Sequence, residues 1–346
     1  MKKILIPINT GLGNAVLILP LLRTLKRVYK NSCIDLYGGK QFGADELFKY
    51  DEDINEIYYT LPRKKYDLIL SPFLGGGDYF AIKMKMRNMF SLVISHSFVG
   101  NQIKGHIKEL IYKLFRIKTV RFNLLKHESW NNLNLLSILD GDNQQYEFKN
   151  LMSPGVLNKI NQLILKFNLP EQYIAIQLGV ANNQSDPRMW PIFKWKLIIE
   201  EMIKKRVKVV LLGDKNELGL GNQIEKEHNK GSVINLIGKT TIPELMGVIN
   251  KATLILGVDS GIAHISGALN KKTLILWGPS IFSKSHPVGQ HIHYINLHKS
   301  CAPCMGPALY SPKDAIKYCP NKIKCMDDIT SKQVITEIEA LLSNDQ

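Results

Sequence analysis

Residues able to hold an anion and to move a proton are concentrated in one run, Val258-Asp259-Ser260-Gly261-Ile262-Ala263-His264. The apolar residues 253–257 before it read as a buried strand, and residues 265–269 after it suit a helix. A strand that breaks into Asp-Ser-Gly and restarts as a helix presents backbone N–H groups and a positive dipole end to whatever lies above the sheet. Asp259, Ser260, Gly261 and His264 therefore form a candidate phosphate or pyrophosphate site. A second strand-to-helix turn, Asn9-Thr10-Gly11-Leu12-Gly13-Asn14, stands near the other end of the chain. Gly11 and Gly13 there allow positive φ and close approach of a ligand to the backbone. The turn is not a full G-x-G-x-x-G and lacks the Gly-Lys-Ser/Thr of a P-loop. A tight turn without a ligand fits the same residues.

Three further groups carry chemistry. Arg188, in Asp186-Pro187-Arg188-Met189-Trp190-Pro191, follows the strand predicted at 173–177. A guanidinium there can fork onto phosphate oxygens, or it is a surface arginine in a Pro-bounded loop. Gly213-Asp214-Lys215-Asn216-Glu217 ends the strand predicted at 207–212. Glu217 can accept hydrogen bonds from ribose hydroxyls; equally, it is a first-turn acid favoured by the helix dipole. Cys301-x-x-Cys304, Cys319 and Cys325 place four of the five cysteines in one late segment. Four thiolates suit tetrahedral zinc or iron in a structural site. The second pair is C-x5-C rather than C-x2-C, so the pattern is not a standard zinc ribbon, and free thiols are the alternative. Cys33 belongs to a strand and reads as buried.

The elements that must position these groups alternate. Strand candidates at 3–8, 33–37, 68–70, 92–94, 173–177, 207–212, 233–236, 253–257 and 273–276 are interleaved with helices. The helices fall at 15–29, 103–115, 194–205, 217–228, 242–250 and 261–269, with Pro20 permitting a bend in the first. Such alternation predicts an α/β fold with parallel sheets and crossover helices, whose ligands bind beyond the carboxyl ends of the strands. Two glycine turns in two halves predict two facing nucleotide-fold domains with a cleft between them. Turn signals between 141 and 172 place the boundary, giving domains at 1–150 and 151–330. Val334, Ile335, Ile338, Leu341 and Leu342 mark a closing helix within 331–346.

At 346 residues the chain is long enough for two doubly wound domains. Its net charge of +15 favours an anionic partner, although a lysine-rich solvated surface explains part of the surplus. Residues 103–115 put Ile103, Ile107, Leu110, Ile111, Leu114 and Phe115 on one helical face. Lys104, Lys108, Lys113, Arg116 and Lys118 occupy much of the remainder. Such a helix either lies on an anionic membrane surface or is a domain helix with a solvated basic face. Met1-Lys2-Lys3 and the apolar residues 4–8 resemble the start of a leader, but the run stops at Asn9 and no small-residue cleavage site follows. No apolar run approaches the length of a membrane span. The expectation is a cytoplasmic protein, with peripheral contact at the cytoplasmic face of the inner membrane.

Taken in order, these motifs resemble the family 9 glycosyltransferases, which include bacterial lipopolysaccharide heptosyltransferases. The resemblance runs over essentially the whole chain. It rests on Gly11-Leu12-Gly13 with Pro20-Leu21-Leu22, His127-Glu128-Ser129-Trp130-Asn131-Asn132-Leu133, and Arg188-Met189-Trp190-Pro191. It continues through Gly213 with Glu217, Asp259-Ser260-Gly261-Ile262-Ala263-His264, Trp277-Gly278-Pro279 and the cysteine cluster. The resemblance implies a GT-B architecture and inverting transfer of a heptose, or a related sugar, from an ADP-sugar donor, with no metal needed for catalysis. Arg188 and the Ser260-Gly261 helix start would meet the diphosphate, Glu217 the nucleoside, and Asp259 and His264 the sugar and phosphate. The N-terminal domain would receive an anionic lipid A–inner core glycolipid. Many family members carry Asp directly after the Gly-x-Gly turn as general base; this chain has Asn14, whose amide cannot take up a proton at neutral pH. Three accounts are open: Asp78, in Gly75-Gly76-Gly77-Asp78, serves as substitute base; the acceptor hydroxyl is activated without a strong base; or the protein binds donor without transferring it. Two other readings stand beside this one. The chain is a nucleotide-sugar-binding module without catalysis, or a basic, metal-containing nucleic-acid protein; the two cleft turns oppose the latter, so no nucleic-acid partner is expected.

Overall fold

The computed structural model describes residues 1–72, 80–97, 103–140, 151–180, 186–229, 231–305, 312–320 and 322–343; the side chains of 103–108, 140, 312 and 313 are not described. The chain divides into two compact units, Met1–Val156 and Leu157–Gln346.

The first unit holds a six-stranded parallel sheet ordered β3-β2-β1-β4-β5-β6. Its strands are β1 (Lys3–Pro7), β2 (Cys33–Tyr37), β3 (Ile54–Tyr58), β4 (Leu68–Ser71), β5 (Leu92–Ser97) and β6 (Lys118–Arg121). The second unit repeats the plan in the order β12-β11-β10-β7-β8-β9. These strands are β7 (Ile174–Gln177), β8 (Val209–Leu212), β9 (Val233–Asn235), β10 (Leu254–Val258), β11 (Thr273–Trp277) and β12 (Ile292–Asn296). The central strands are continuous buried apolar runs, as a sheet covered by helices on both faces demands. Each sheet winds outward in both directions from one strand. β1 pairs with β2 and β4, and β7 pairs with β8 and β10. The chain reverses its winding at the β1/β4 and β7/β10 gaps, where the crossovers part and leave a crevice at the carboxyl ends of the strands.

Three strands escape the sequence pattern: β3, β6 and β12. All three are sheet edges with half-exposed residues, so an apolar run is not required of them. The single helix expected at 15–29 is two helices, Leu12–Val16 and Leu19–Val28, with Pro20 in the first turn of the second. Proline has no N–H to donate to a preceding turn, so the helix restarts there rather than bending. The carbonyl of Leu17 at the break accepts a hydrogen bond from Asn132 Nδ2 at 3.0 Å. Asn132 belongs to the helix Glu128–Asn134, whose N-cap His127 accepts from the Ser129 amide at 3.3 Å. The His127–Leu133 motif thus supports the first glycine turn. In the second unit the closing helix Ser331–Ser343 buries Val334, Ile338 and Leu341 in the same core as Trp190, Trp195 and Ile198.

Candidate functional site

The groups singled out in the second half of the sequence converge on the carboxyl ends of β8, β7, β10 and β11. Ser260 is the N-cap of the helix Gly261–Ala268, and its Oγ accepts from the Ala263 amide at 3.5 Å. The same hydroxyl donates to Gln177 Oε1 at the end of β7, tying the two strands at the switch point together. The first-turn amides of this helix have no intrahelical acceptor and face outward beyond the strand ends.

Arg188 lies beside this helix start. Its guanidinium forks onto Asp186, with Nε to Oδ1 at 2.8 Å and Nη2 to Oδ2 at 2.9 Å. Nη1 donates to the Asp259 carbonyl at 3.2 Å. Five N–H donors against these three bonds leave one on each terminal nitrogen uncommitted among the described residues. The loop is pinned by Trp190, which is buried edge-on to Trp195 and donates from Nε1 to the Ile329 carbonyl at 3.1 Å. Asp259 is buried, and its Oδ2 accepts from Ser280 Oγ at 2.6 Å and lies 3.8 Å from Arg188 Nη1. Desolvation raises its pKa above the ordinary carboxylate value, against the opposing pull of Arg188 and the Ser280 hydroxyl. His264 is buried one turn into the helix.

Glu217 completes the row. It closes a capping box in which its Oε2 accepts from the Asp214 amide at 3.0 Å. Its Oε1 is buried with no hydrogen-bond partner among the described residues. Burial raises its pKa, and nearby Asp214 adds to the shift, while the Asp214 amide opposes it. The two glycines at the neighbouring strand ends leave room for this carboxylate. A Cβ at Gly179 would fall 2.6 Å from Oε1, and one at Gly213 2.5 Å from Oε2. Gly213 is therefore small for Glu217's sake, with its φ outside the left-handed range.

In the first unit the turn after β1 does not use its glycines for a left-handed backbone. Gly11 is extended, at φ −65° and ψ 159°, and Gly13 lies inside the helix Leu12–Val16; neither has positive φ. The left-handed glycines of this unit are instead Gly38, Gly39 and Gly43, after β2, where the Gly39 amide donates to Asn9 Oδ1 at 3.1 Å. A Cβ at Gly11 would meet nothing within 4 Å, so neither packing within the described residues nor backbone conformation requires glycine there. Asn14 is partly exposed in the first turn of this helix. Asp78 lies outside the described residues.

The family model of glycosyltransferase family 9 (heptosyltransferase) matches residues 80–310. The chain belongs to this family. It is 29% identical to lipooligosaccharide heptosyltransferase 2 of Campylobacter jejuni subsp. jejuni serotype O:2, over 99% of each chain. The structure of Escherichia coli ADP-heptose lps heptosyltransferase II superposes with a TM-score of 0.72 at 18% identity, covering 100% of this chain and 99% of that one. The dodecameric iron-containing heptosyltransferase TibC, solved with ADP-D-beta-D-heptose, superposes with a TM-score of 0.60 at 14% identity over 100% of this chain and 77% of its own. The fold of this glycosyltransferase is accordingly GT-B, built from two Rossmann-like units.

Four residues of this candidate site were not singled out by sequence: Asp186, Gln177, Gly179 and Ser280. Asp186 has a signal in its spacing, two residues before an arginine it can fork. Ser280 and Gln177 have none, since each reaches its partner only through sheet order. His96, buried at the end of β5 and edge-on to Phe122 at 5.4 Å, is a further titratable group on the first sheet. The four late cysteines share one neighbourhood. Burial and the proximity of Cys304, Cys319 and Cys301 push the Cys325 thiol up to about 11, and Cys304 is raised by burial, Cys319 and Cys301. The Ile323 amide donates to Cys319 Sγ at 3.1 Å. Among the described residues no group of three or more His, Cys, Asp or Glu is gathered so as to hold a metal ion.

Proposed function

We propose that this glycosyltransferase moves a heptose, or a closely related sugar, from an ADP-linked donor to an inner-core lipopolysaccharide acceptor, with inversion and without a catalytic metal. The observation that carries this reading is the row along the second sheet. Glu217 with its unpartnered Oε1 stands at β8, Arg188 after β7, the Ser260 helix start at β10 and Ser280 at β11. Strands about 4.8 Å apart put β8 and β10 about 10 Å apart. That matches the reach of a nucleoside diphosphate from ribose to terminal phosphate. Ribose hydroxyls would donate to Glu217, the helix start and Arg188 would hold the diphosphate, and the sugar would lie toward Asp259 and Ser280.

In the reaction the acceptor oxygen bonds to the anomeric carbon as the bond to the diphosphate breaks. The diphosphate departs with the electron pair, and the acceptor hydroxyl loses its proton. Fixed positive groups at the helix start offset the charge that builds on the leaving group, which removes the need for a metal there. Asn14 cannot take the proton, so the base is another group or the acceptor is activated without one. That residue favours a second reading, a nucleotide-sugar-binding module. Calorimetry with ADP-heptose, followed by transfer assays on truncated core acceptors, separates the two. Binding with transfer supports the enzyme; binding without transfer on any acceptor supports the module; no binding to ADP-, GDP- or UDP-linked sugars defeats both.

The soft donor set of Cys301, Cys304, Cys319 and Cys325 suits zinc or iron in a structural role by its chemistry, while the described residues do not bring three of them together as ligands. Bound there, the metal would cross-link the segment. Metal analysis of protein purified anaerobically is expected to give about one equivalent per chain, lost on Cys325→Ser. With a lipid-borne acceptor and a nucleotide-sugar donor, the proposed place of reaction is the cytoplasmic face of a membrane; no described helix is long and apolar enough to cross one.

A further inference from the structure

The helices Phe80–Arg87 and Ile103–Leu114 cover the same face of the first sheet. Phe80, Ala81 and Met84 share a buried cluster with Tyr112, Leu5, Ile69 and Val93, and Phe115 packs against it. Each helix runs from the carboxyl edge of one strand to the amino edge of the next, so both end at the amino edge of β5 and β6. Large apolar side chains gather in solvent at that end. Met86 and Met89 are exposed, Phe90 at the turn tip is 101% exposed, and Leu110 and Leu114 stand outside the last turns of the second helix. This corrects the single apolar face expected for residues 103–115. Tyr112 is buried, while Leu110 and Leu114, four apart, point away from the core.

The same edge is basic. Arg63 and Lys65 precede β4, Arg87 ends the first helix, and Lys113, Arg116 and Lys118 surround the end of the second; all six are exposed. Arg87 is fixed there by donating from Nη1 to the Leu61 carbonyl at 2.9 Å. Among the described residues of this half-sheet edge the acids are Asp67 and Glu109. Asp67 is itself occupied by the Lys3 amide at 2.7 Å.

We propose that this edge docks on an anionic lipid bilayer, with Phe90, Met86, Met89, Leu110 and Leu114 entering the interface and the six basic residues meeting lipid phosphates. The charge decides the occupant. A second copy of the chain would bring two positive surfaces together, whereas an anionic bilayer neutralises them and takes up the protruding apolar tips. The edge lies at the opposite end of the sheet from Gly11–Asn14, so it is a tether rather than part of the acceptor's path. This deepens the functional reading, on which it rests for the membrane-bound acceptor.

The test is sedimentation of the full chain with vesicles of phosphatidylcholine, alone and mixed equally with phosphatidylglycerol. Binding is expected only to the mixed vesicles and should fall at high salt. Lys113→Glu with Arg116→Glu should weaken it by at least about 25-fold, from roughly five-fold per basic residue lost. Phe90→Ser with Met89→Ser should weaken it about ten-fold. Both replacements are at exposed positions, so melting temperature and ADP affinity should not change. Equal binding to neutral vesicles, no binding to either, or full binding by the Phe90→Ser variant would overturn the proposal. So would a dimer, seen by analytical ultracentrifugation, that Phe90→Ser dissolves. Vesicle binding without sugar transfer would leave the tether standing and remove the enzymatic reading. Transfer to a water-soluble acceptor without vesicle binding would do the reverse.

Discussion

Glu217→Gln separates the structural role of this carboxylate from its proposed role in binding. One oxygen serves the fold by accepting from the Asp214 amide, and the other is buried without a partner. A glutamine keeps an acceptor for the amide and removes a desolvated charge, so unfolding free energy should change by no more than about 1 kcal/mol. Ligand binding should respond far more. Ribose hydroxyls donating to a carboxylate make charge-assisted bonds worth about 1.5–3 kcal/mol. Their loss weakens ADP binding about 10- to 100-fold at about 1.4 kcal/mol per decade. The pH dependence supplies a second check. Burial raises the Glu217 pKa in the folded protein. Its contribution to stability is therefore present below the unfolded value and is lost as pH rises through the folded one. For the ligand the sign reverses, because ribose donors require the ionised form. Wild-type affinity for ADP should fall as pH is lowered from neutrality through the raised pKa, and the glutamine variant should lack that limb. Calorimetry on both proteins across this range is decisive. Equal affinity, or parallel pH profiles, would show that Oε1 does not meet the nucleoside.

Arg188→Ala leaves Asp186 and Asp259 buried without their cation; it should cost about 3 kcal/mol in urea unfolding and weaken donor binding as well. Ser280→Ala removes the hydroxyl at 2.6 Å from Asp259 Oδ2; a loss of about 1–3 kcal/mol in stability should accompany reduced transfer with little change in ADP affinity, since the proposal puts Ser280 on the sugar side. Asn132→Ala orphans the Leu17 carbonyl at the helix break; thermal melting should register about 1–3 kcal/mol. Asn14→Asp places an acid in the first turn of a helix, where it is favoured; turnover should rise about ten-fold or more if acceptor activation limits the rate, and an unchanged pH–rate profile would locate the base elsewhere.

The buried strands were legible because a strand covered on both faces must be apolar along its whole length, as Leu254–Val258 and Val209–Leu212 are. β3, β6 and β12 were not, because an edge strand such as Lys118–Arg121 answers to solvent as much as to the core. Pro20 announced an irregularity, but whether the helix bends or restarts depends on who satisfies the Leu17 carbonyl. That partner is Asn132, far along the chain. The glycines of the first turn allowed positive φ, while in that unit the structure puts it at Gly38, Gly39 and Gly43. A glycine required for conformation and one required for space look alike in sequence. Glu217 was readable as a dipole-favoured acid; its second, unpartnered oxygen depends on Gly179, which sheet order alone brings near. Ser280 and Gln177 are invisible for the same reason, since a lone serine or glutamine has no periodicity to betray it.

The distribution of charge argues that donor recognition and membrane attraction use different physics. The row at β8–β11 holds three buried carboxylates, Asp186, Asp259 and Glu217, against the guanidinium of Arg188 and the buried Lys284 four residues past Ser280. Counted by formal charge it would repel a diphosphate. Its attraction must come from oriented amides at the Ser260 helix start and from the uncommitted N–H donors of Arg188, which act at contact distance and away from bulk salt. Asp259, already raised by burial, would be driven further toward its neutral form by an incoming diphosphate, lessening the repulsion. The chain's surplus of +15 does not make this site. Much of it is solvated lysine and arginine, as at the amino edge of β4–β6, where interactions are screened over about 8 Å at physiological ionic strength. Donor affinity should therefore be nearly flat with salt while vesicle binding is steep. On this proposal the chain can alter its hold on a surface through exposed residues without disturbing the candidate donor site at the ends of β8–β11.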